Sequence, residues 1–257
     1  MKNQLSNEEY WRERIIKQDK KENKDNKETY RKLKKYYKLA REEIKKELAY
    51  FYANNKDANS YEYQLDATMK AIDKALNTMY QNEEGLINNR LIEAFKDTYK
   101  NNDEVLNINN MFHVINDNFI EQVIKTKWSG ENFSERIWED KRLLVKIIRQ
   151  EIQKGLIRGE SLANISNILS KKLNNSFSNS QRLIRTEVSY IRNEATKKNY
   201  EDNNITKYQI EAFLDSKTSD ICKKMDGKIF NTKDGIVSKN MPPFHPNCRS
   251  CIIPIIE

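Results

Sequence analysis

The chain has 257 residues, of which 37% are hydrophobic and 33% are charged, and its formal net charge is +8. No run of about 18 apolar residues occurs, which argues against a membrane-spanning helix, and the 10% of aromatic residues argues against a disordered chain. Six glycines and four prolines offer few interruptions to helices, so the composition predicts a mostly helical protein.

The N-terminal segment is basic and helical in pattern. Residues 1–50 contain 16 Lys and Arg against 10 Asp and Glu, and the opening MKNQLSNEEYWRERIIK lacks the apolar core of a signal peptide. Between Thr29 and Tyr52, apolar residues recur at steps of three and four, which predicts one long helix with a single apolar stripe. The cations between them form either a solvated helix face or a surface for a polyanion such as DNA. The candidate nucleic-acid-binding residues are Arg31, Lys32, Lys34, Lys35 and Lys38.

Three further helices are predicted in the first half of the chain. One begins at Ser60, a candidate N-cap, and the others cover Leu86–Tyr99 and Asp103–Thr126. The Asn-rich stretches ANNKDAN and KNND are typical of the turns between them. His113 lies beside the apolar stripe of the last helix, where a surface position is expected. Residues 1–127 are therefore predicted to form a basic, elongated helical arm or bundle.

The pattern changes at WSGENFSERIW, where Ser134 can cap a new helix. Helical periodicity continues through KRLLVKIIRQEIQKGLIRG, through the short SLANISNILSKKL, and through a longer segment that ends at Asn204. The hydrophobic period then changes to 2 in KYQIEAFLD, which predicts a strand. KIF and CIIPII are two more strand candidates, and Pro254 in the second requires an edge or an end of the sheet.

These elements predict a mainly α fold with a small C-terminal α+β module. The predicted domains are the basic helical arm, residues 1–127, and a second domain, residues 128–257. In the second domain, residues 128–204 supply helices that pack on a short antiparallel sheet, and residues 205–257 supply the sheet.

The three cysteines and one of the two histidines fall near the C-terminus. The spacing H-x-x-C-x-x-C, together with one upstream cysteine, suits convergence on a single ion, and Cys₃His is a tetrahedral zinc set. The candidate ligands are Cys222, His245, Cys248 and Cys251. Two alternatives are buried small side chains without metal and a catalytic Cys–His pair. Three sparse cysteines make a disulfide scaffold unexpected and favour a reducing interior.

The segment Arg185–Thr186–Glu187 places two opposite charges in the middle of a helix. Residues two apart point to different helix faces, so Arg185 and Glu187 are expected to reach other elements. Asp215 and Asp226 are the candidate partners for Arg185, which would fix helix against sheet. A hydrolytic role for Glu187 with Asp215 is the alternative, and no Gly-rich phosphate-binding loop occurs.

Several motifs in a fixed order resemble the phage Mu protein F-like family of minor head (head morphogenesis) proteins. They are WSGENFSERIW, GLIRGES, LIRTEVSYIRNEA, FLDSKTSDICKKMDGKIF and PPFHPNCRSC, and the resemblance covers about residues 128–257. Many relatives have a second cysteine where this chain has Met225, which leaves the Cys₃His version of a zinc site. The family motif maps onto Arg185, Thr186, Glu187, Asp215, Cys222, Asp226, Gly227, Pro243, His245, Pro246, Cys248, Arg249 and Cys251.

The resemblance implies a structural protein of a tailed-phage head rather than an enzyme. It would act at the portal vertex during procapsid assembly, with portal, capsid and scaffold proteins as partners and double-stranded DNA as a further one. It would lie in the virion, inside the capsid near the portal, after assembly in the host cytoplasm, and no small-molecule substrate is evident. Two alternatives are a nuclease or hydrolase built from Glu187, Asp215, His245 and Cys248, and a zinc-dependent DNA-binding module in residues 205–257.

Overall fold

The computed structural model describes residues 7–54, 61–106 and 115–256. The predicted N-cap Ser60, the surface residue His113 and part of the helix predicted over Asp103–Thr126 lie outside these described residues. The helices are α1 (Asn7–Asn54), α2 (Tyr61–Val105), α3 (Asp117–Lys125), α4 (Phe133–Ile157), α5 (Leu162–Asp202) and α6 (Asp220–Met225). The strands are β1 (Lys207–Glu211), β2 (Ile229–Asn231) and β3 (Cys251–Pro254). The mainly α class with a small α+β module is confirmed.

Two of the helices are longer than predicted. α2 continues through Gly85, and α5 continues through the Asn174–Asn175 pair, where the sequence suggested breaks. In α5 the buried stripe persists because Ser176 and Ser180 occupy its positions, although both are polar. The hydrophobic periodicity is interrupted at these buried polar residues, so the sequence pattern did not predict one continuous helix.

The helix starts follow capping chemistry only in part. Ser161 precedes α5, and its hydroxyl accepts a hydrogen bond from the Asn164 N–H over 3.2 Å, as an N-cap does. Ser134 differs from the prediction, since it lies inside α4 and donates its hydroxyl to Glu84 of α2. In the part of the chain that the structure describes, no helix is both long and apolar enough to span a bilayer.

The chain divides into two compact units. Unit 1 contains residues 1–28, 88–132 and 182–257, and unit 2 contains residues 29–87 and 133–181. Helices α1, α2 and α5 each supply residues to both units. The division into domains at residues 1–127 and 128–257 stays a prediction.

Unit 1 holds the sheet, whose strand order is β2–β1–β3 with both pairs antiparallel. Tyr208 in the central strand pairs with Phe230 on one side and with Pro254 on the other. Pro254 thus occupies an edge strand, the position its missing N–H requires. The core beneath the sheet consists of Tyr200, Tyr208, Ile210, Met241 and Ile252.

Among the residues that the structure describes, every regular element of unit 2 is a helix, and the unit has a polar centre. The Tyr37 hydroxyl of α1 lies 3.1 Å from the carboxylate of Glu83 in α2 and 2.9 Å from the hydroxyl of Ser180 in α5. The Tyr80 hydroxyl donates to Asp140 of α4 over 2.7 Å. All four helices therefore contribute to one buried hydrogen-bonded cluster, which fixes their register more specifically than apolar contacts alone would.

Candidate functional site

The candidate site lies in unit 1, where α6 meets the loop before β3. Ser219 is the N-cap of α6, and its hydroxyl accepts a hydrogen bond from the Cys222 N–H over 3.4 Å. Cys222 consequently occupies the first turn of the helix, and it is buried. Ser219 had no role in the sequence-based prediction, although a Ser–Asp pair before a short helix is a recognisable capping signal.

The Asp226–Gly227 motif attaches α6 to the central strand. The Asp226 carboxylate accepts from the N–H of Ala212 over 2.8 Å, and the Gly227 N–H donates to the carbonyl of Ile210 over 2.8 Å. Gly227 has a φ of 74°, the left-handed region that glycine adopts without steric cost. The turn after α6 is thereby held against β1, and Cys222 is held with it.

The PPFHPNC loop approaches α6 from the other side. His245 and Cys248 are the ends of a turn closed by a hydrogen bond from the Cys248 N–H to the His245 carbonyl over 3.1 Å. The Asn247 N–H in that turn donates to the Thr186 hydroxyl of α5 over 3.1 Å, and Thr186 in turn donates to the Arg182 carbonyl. Thr186 of the RTE motif therefore anchors the loop to the helix.

These elements bring three of the four predicted ligands together. Cys222 Sγ lies 3.1 Å from His245 Nε2 and 3.7 Å from Cys248 Sγ. All three ligand atoms lie within 4.8 Å of one another. His245 Nδ1 lies 2.8 Å from the Pro246 carbonyl and donates to it, which leaves Nε2 as the acceptor that faces Cys222 and the Ser219 hydroxyl. A second hydrogen bond of this kind orients metal-binding histidines.

The two thiols influence each other strongly. The hydrogen bond from the Cys248 S–H lowers the pKa of the Cys222 thiol, although burial opposes this. The same hydrogen bond and burial raise the pKa of Cys248. These opposite shifts favour the thiolate form at Cys222, which is the form that binds a cation or attacks an electrophile.

The predicted fourth ligand, Cys251, lies elsewhere. Cys251 opens β3 opposite Glu211 of β1, and its Sγ donates to the Glu211 carbonyl over 3.7 Å. Burial raises the pKa of Cys251 to about 12. The H-x-x-C-x-x-C spacing does not converge here because strand pairing begins at Cys251 and directs its side chain away from the cluster.

The separation of the two sulfurs in the cluster suits a tetrahedral metal ion. Zinc–sulfur bonds of about 2.3 Å and zinc–nitrogen bonds of about 2.0 Å place two thiolates about 3.8 Å apart at the tetrahedral angle. The 3.7 Å between Cys222 and Cys248 agrees with that separation. Cys222, His245 and Cys248 would fill three positions, and a closed structural site needs a fourth.

Asp215 and Arg249 form a second contact at the edge of the site. The terminal nitrogens Nη1 and Nη2 of Arg249 donate to the Asp215 carboxylate, over 2.8 and 2.6 Å, and the guanidinium lies 4.8 Å from the centre of the Phe213 ring. The cation found at Asp215 is therefore Arg249, which the sequence did not indicate, and the pairing of Arg185 with Asp215 or Asp226 stays a prediction. Arg185 lies on the exposed face of α5, and Arg249 reaches Asp215 because the HPNCR turn folds back over the loop after β1.

Glu187 is buried, and its carboxylate accepts from the indole N–H of Trp128 over 3.1 Å. The Trp128 ring stacks on Tyr190, with 5.1 Å between ring centres. Two separate motifs, WSGENF and RTE, are therefore joined by this part-buried contact. Of the residues proposed for a hydrolase, Glu187 contacts Trp128, Asp215 contacts Arg249, and His245 and Cys248 lie with Cys222.

The candidate nucleic-acid residues lie on α1 in unit 2. Arg31, Lys32, Lys34, Lys35 and Lys38 are all exposed. At 100° per residue, Arg31, Lys34, Lys35 and Lys38 fall within about 100° of the helix circumference. The buried stripe of α1, which includes Leu33 and Tyr37, faces the other way.

Comparison with known proteins agrees with the motif assignment. Residues 146–253 match the family described as Phage Mu protein F like protein, which confirms the predicted resemblance over those residues. A segment of 159 residues is 23% identical to an NAD(+)–arginine ADP-ribosyltransferase, EFV, from Enterococcus faecalis. That alignment covers 56% of this chain and only 32% of the transferase, so the chain spans about a third of that relative. No solved structure matches the chain.

Proposed function

We propose that this protein is a minor head protein of a tailed phage, acting at the portal vertex during procapsid assembly. The observation that carries the proposal is the family match over residues 146–253. The segment contains the RTE motif, the Asp226–Gly227 turn and the HPNC loop, so it includes the whole candidate site.

The contacts of the motif residues support a structural role. Thr186 binds the loop at Asn247, Asp226 binds β1 at Ala212, and Arg249 binds Asp215. Each contact joins two elements of unit 1, and none of these side chains needs a substrate to explain its position. A domain held by such internal polar contacts suits a rigid assembly component.

DNA is the proposed second partner, and the exposed cations of α1 are the proposed contact surface. Lysine and arginine side chains near phosphates release counterions, which makes such binding favourable and dependent on salt. This surface belongs to α1, whereas the alternative of a DNA-binding module places the contacts in residues 205–257.

Zinc is the proposed occupant of the cluster of Cys222, His245 and Cys248, with water in the fourth position. The ion would join α6 to the loop before β3 and would stabilise unit 1. Elemental analysis of the full-length protein should find about one zinc per chain in wild type and in Cys251→Ser, and a loss in Cys222→Ser. Zinc near zero in wild type, with unfolding indifferent to chelator, would exclude this part of the proposal.

The experiment that tests the head-protein role is co-expression with the portal protein of the same genome. The proposal expects the two proteins to co-purify, and it expects the complex to survive in Cys251→Ser. The ADP-ribosyl transfer named for the Enterococcus relative is not proposed for this chain, because the alignment covers only a third of that protein. If the two proteins do not co-purify, whether the affinity tag is on this chain or on the portal protein, the result would oppose the head-protein role.

A further inference from the structure

Three cysteines permit three disulfide pairings, and the structure distinguishes between them. Cys222 Sγ and Cys248 Sγ lie 3.7 Å apart, whereas Cys251 Sγ contacts the backbone carbonyl of Glu211. We propose that Cys222 and Cys248 form a redox pair that hydrogen peroxide oxidises to a disulfide, while Cys251 remains a thiol. This inference does not depend on the head-protein role.

The distance to be closed is small. A disulfide has an S–S bond of about 2.05 Å, so the two sulfurs must approach by roughly 1.7 Å. Cys248 lies in a turn whose neighbours Pro246 and Asn247 are exposed, and Cys222 lies in the first turn of a six-residue helix. Rotation of the two side chains is expected to bring the sulfurs together without displacing β1.

The cluster also contains a proton acceptor for the reaction. His245 Nε2 lies 3.1 Å from Cys222 Sγ and takes the thiol proton as the sulfur attacks one oxygen of the peroxide. The O–O bond breaks, and the departing hydroxide takes that proton from His245 and leaves as water. Cys222 is then a sulfenic acid.

The second step uses Cys248. Its sulfur attacks the sulfur of the sulfenic acid, the S–S bond forms, the S–O bond breaks, and the hydroxyl leaves as a second water with the Cys248 proton. The sum is two thiols and one peroxide giving one disulfide and two waters. A small oxidant is required because Cys222 and Cys248 are only 3% and 4% exposed.

Metal and disulfide require the same two sulfurs, so they exclude each other. A bound zinc ion would slow the oxidation, and a chelator would restore it. The bond would join α6 covalently to the loop before β3, the same two elements that an ion would join. Oxidation would thus replace one cross-link of unit 1 by another.

Tryptic digestion separates all three cysteines. Cleavage after Lys217, Lys223, Lys239 and Arg249 leaves Cys222 in residues 218–223, Cys248 in residues 240–249 and Cys251 in residues 250–257. The full-length chain, with and without chelator, is treated with peroxide, its remaining thiols are alkylated with iodoacetamide, and the digest is analysed by mass spectrometry without reduction.

The expected product is residues 218–223 linked to residues 240–249 with a loss of two hydrogens, beside an alkylated Cys251. The Cys251→Ser variant should give the same link, and Cys248→Ser should abolish it. A dominant link to residues 250–257, or full alkylation of Cys222 and Cys248 after peroxide with chelator, would overturn the proposal. Zinc content is measured separately, so a protein without zinc that forms the link supports the redox pair alone.

Discussion

The hydroxyl of Thr186 in α5 accepts a hydrogen bond from the backbone N–H of Asn247 over 3.1 Å, across 61 residues of sequence. Thr186 is buried, and Asn247 lies in the turn that holds His245 and Cys248. This hydroxyl group therefore holds the turn, and with it His245 and Cys248, against α5.

Replacing Thr186 by Val should weaken this anchor. The variant keeps the shape of the side chain and loses the acceptor for the Asn247 N–H, so we expect a loss of about 1 kcal/mol in the free energy of unfolding. Urea denaturation followed by circular dichroism measures it. Thr186→Ser keeps the hydroxyl and serves as the control. Equal stability of Thr186→Val and wild type would show that the contact does not hold the loop.

The Asp215–Arg249 pair should make unit 1 sensitive to acid. The hydrogen bonds from Arg249 hold the pKa of the Asp215 carboxyl well below its ordinary value. A group whose pKa is lower in the folded state stabilises the fold above its unfolded pKa, about 3.9, and this contribution is lost as the pH falls below that value. Asp215→Asn should therefore unfold at a higher pH than wild type in an acid titration.

Asp220→Asn is the matched control for that titration, because the Asp220 side chain is 88% exposed and pairs with Lys223 in the same helix. Its acid midpoint should stay at the wild-type value. An Asp215→Asn midpoint equal to that of wild type would contradict a stabilising role for the pair.

The polar centre of unit 2 should respond to pH in the opposite direction. Burial raises the pKa of Glu83 to about 7, since its side chain is almost fully enclosed. The resulting stability is complete below the unfolded pKa, about 4.3, and is lost as the pH rises through the folded value. Glu83→Gln, which stays neutral, should remove this dependence and should be more stable than wild type at pH 8, by up to about 4 kcal/mol.

Glu43→Gln on the exposed face of α1 provides the comparison for Glu83→Gln, because both changes remove one carboxylate. Urea denaturation at pH 5 and at pH 8 measures both variants. A Glu83→Gln protein that is less stable than wild type at pH 8 would show that the ionised carboxylate is the stabilising form.

The basic face of α1 should carry the binding of double-stranded DNA. Replacing Arg31, Lys34, Lys35 and Lys38 by Ala should weaken binding and lower the slope of log affinity against log salt by up to about 0.9 for each lost phosphate contact. The matched control replaces four exposed lysines of residues 205–257 by Ala, namely Lys224, Lys228, Lys233 and Lys239. Fluorescence anisotropy over a range of salt concentrations measures both.

The two variants remove the same charge, so non-specific attraction changes equally. If the control loses affinity and the α1 variant does not, the DNA surface lies in the C-terminal module instead. Equal losses in both would show that net charge alone attracts the DNA.

Much of the fold follows from periodicity, and the exceptions have physical causes. The strand at Lys207–Glu211 and the edge position of Pro254 were predictable, because alternation and a missing N–H are local properties. The continuity of α5 was not, since Ser176 and Ser180 occupy buried positions where they share hydrogen bonds with Tyr37 of α1.

The sequence was enough to predict which residues belong to the candidate site, but not which of them contact one another. Cys222, His245 and Cys248 were predicted to come together, and they do. Whether Cys251 joins them depends on where strand pairing with Glu211 begins. Likewise, Asp215 was predicted only as a candidate partner of Arg185, and the contact with Arg249 depends on how the HPNCR turn folds.

Counting this chain in purified procapsids tests the proposed role of a minor head protein at the portal vertex. Quantitative mass spectrometry should be applied to procapsids from the wild-type genome and from one without the portal gene. A minor head protein at this vertex should be present in a few copies per wild-type procapsid and should be lost when the portal is absent. Procapsids without the chain, or with the same number of copies in both genomes, would contradict it.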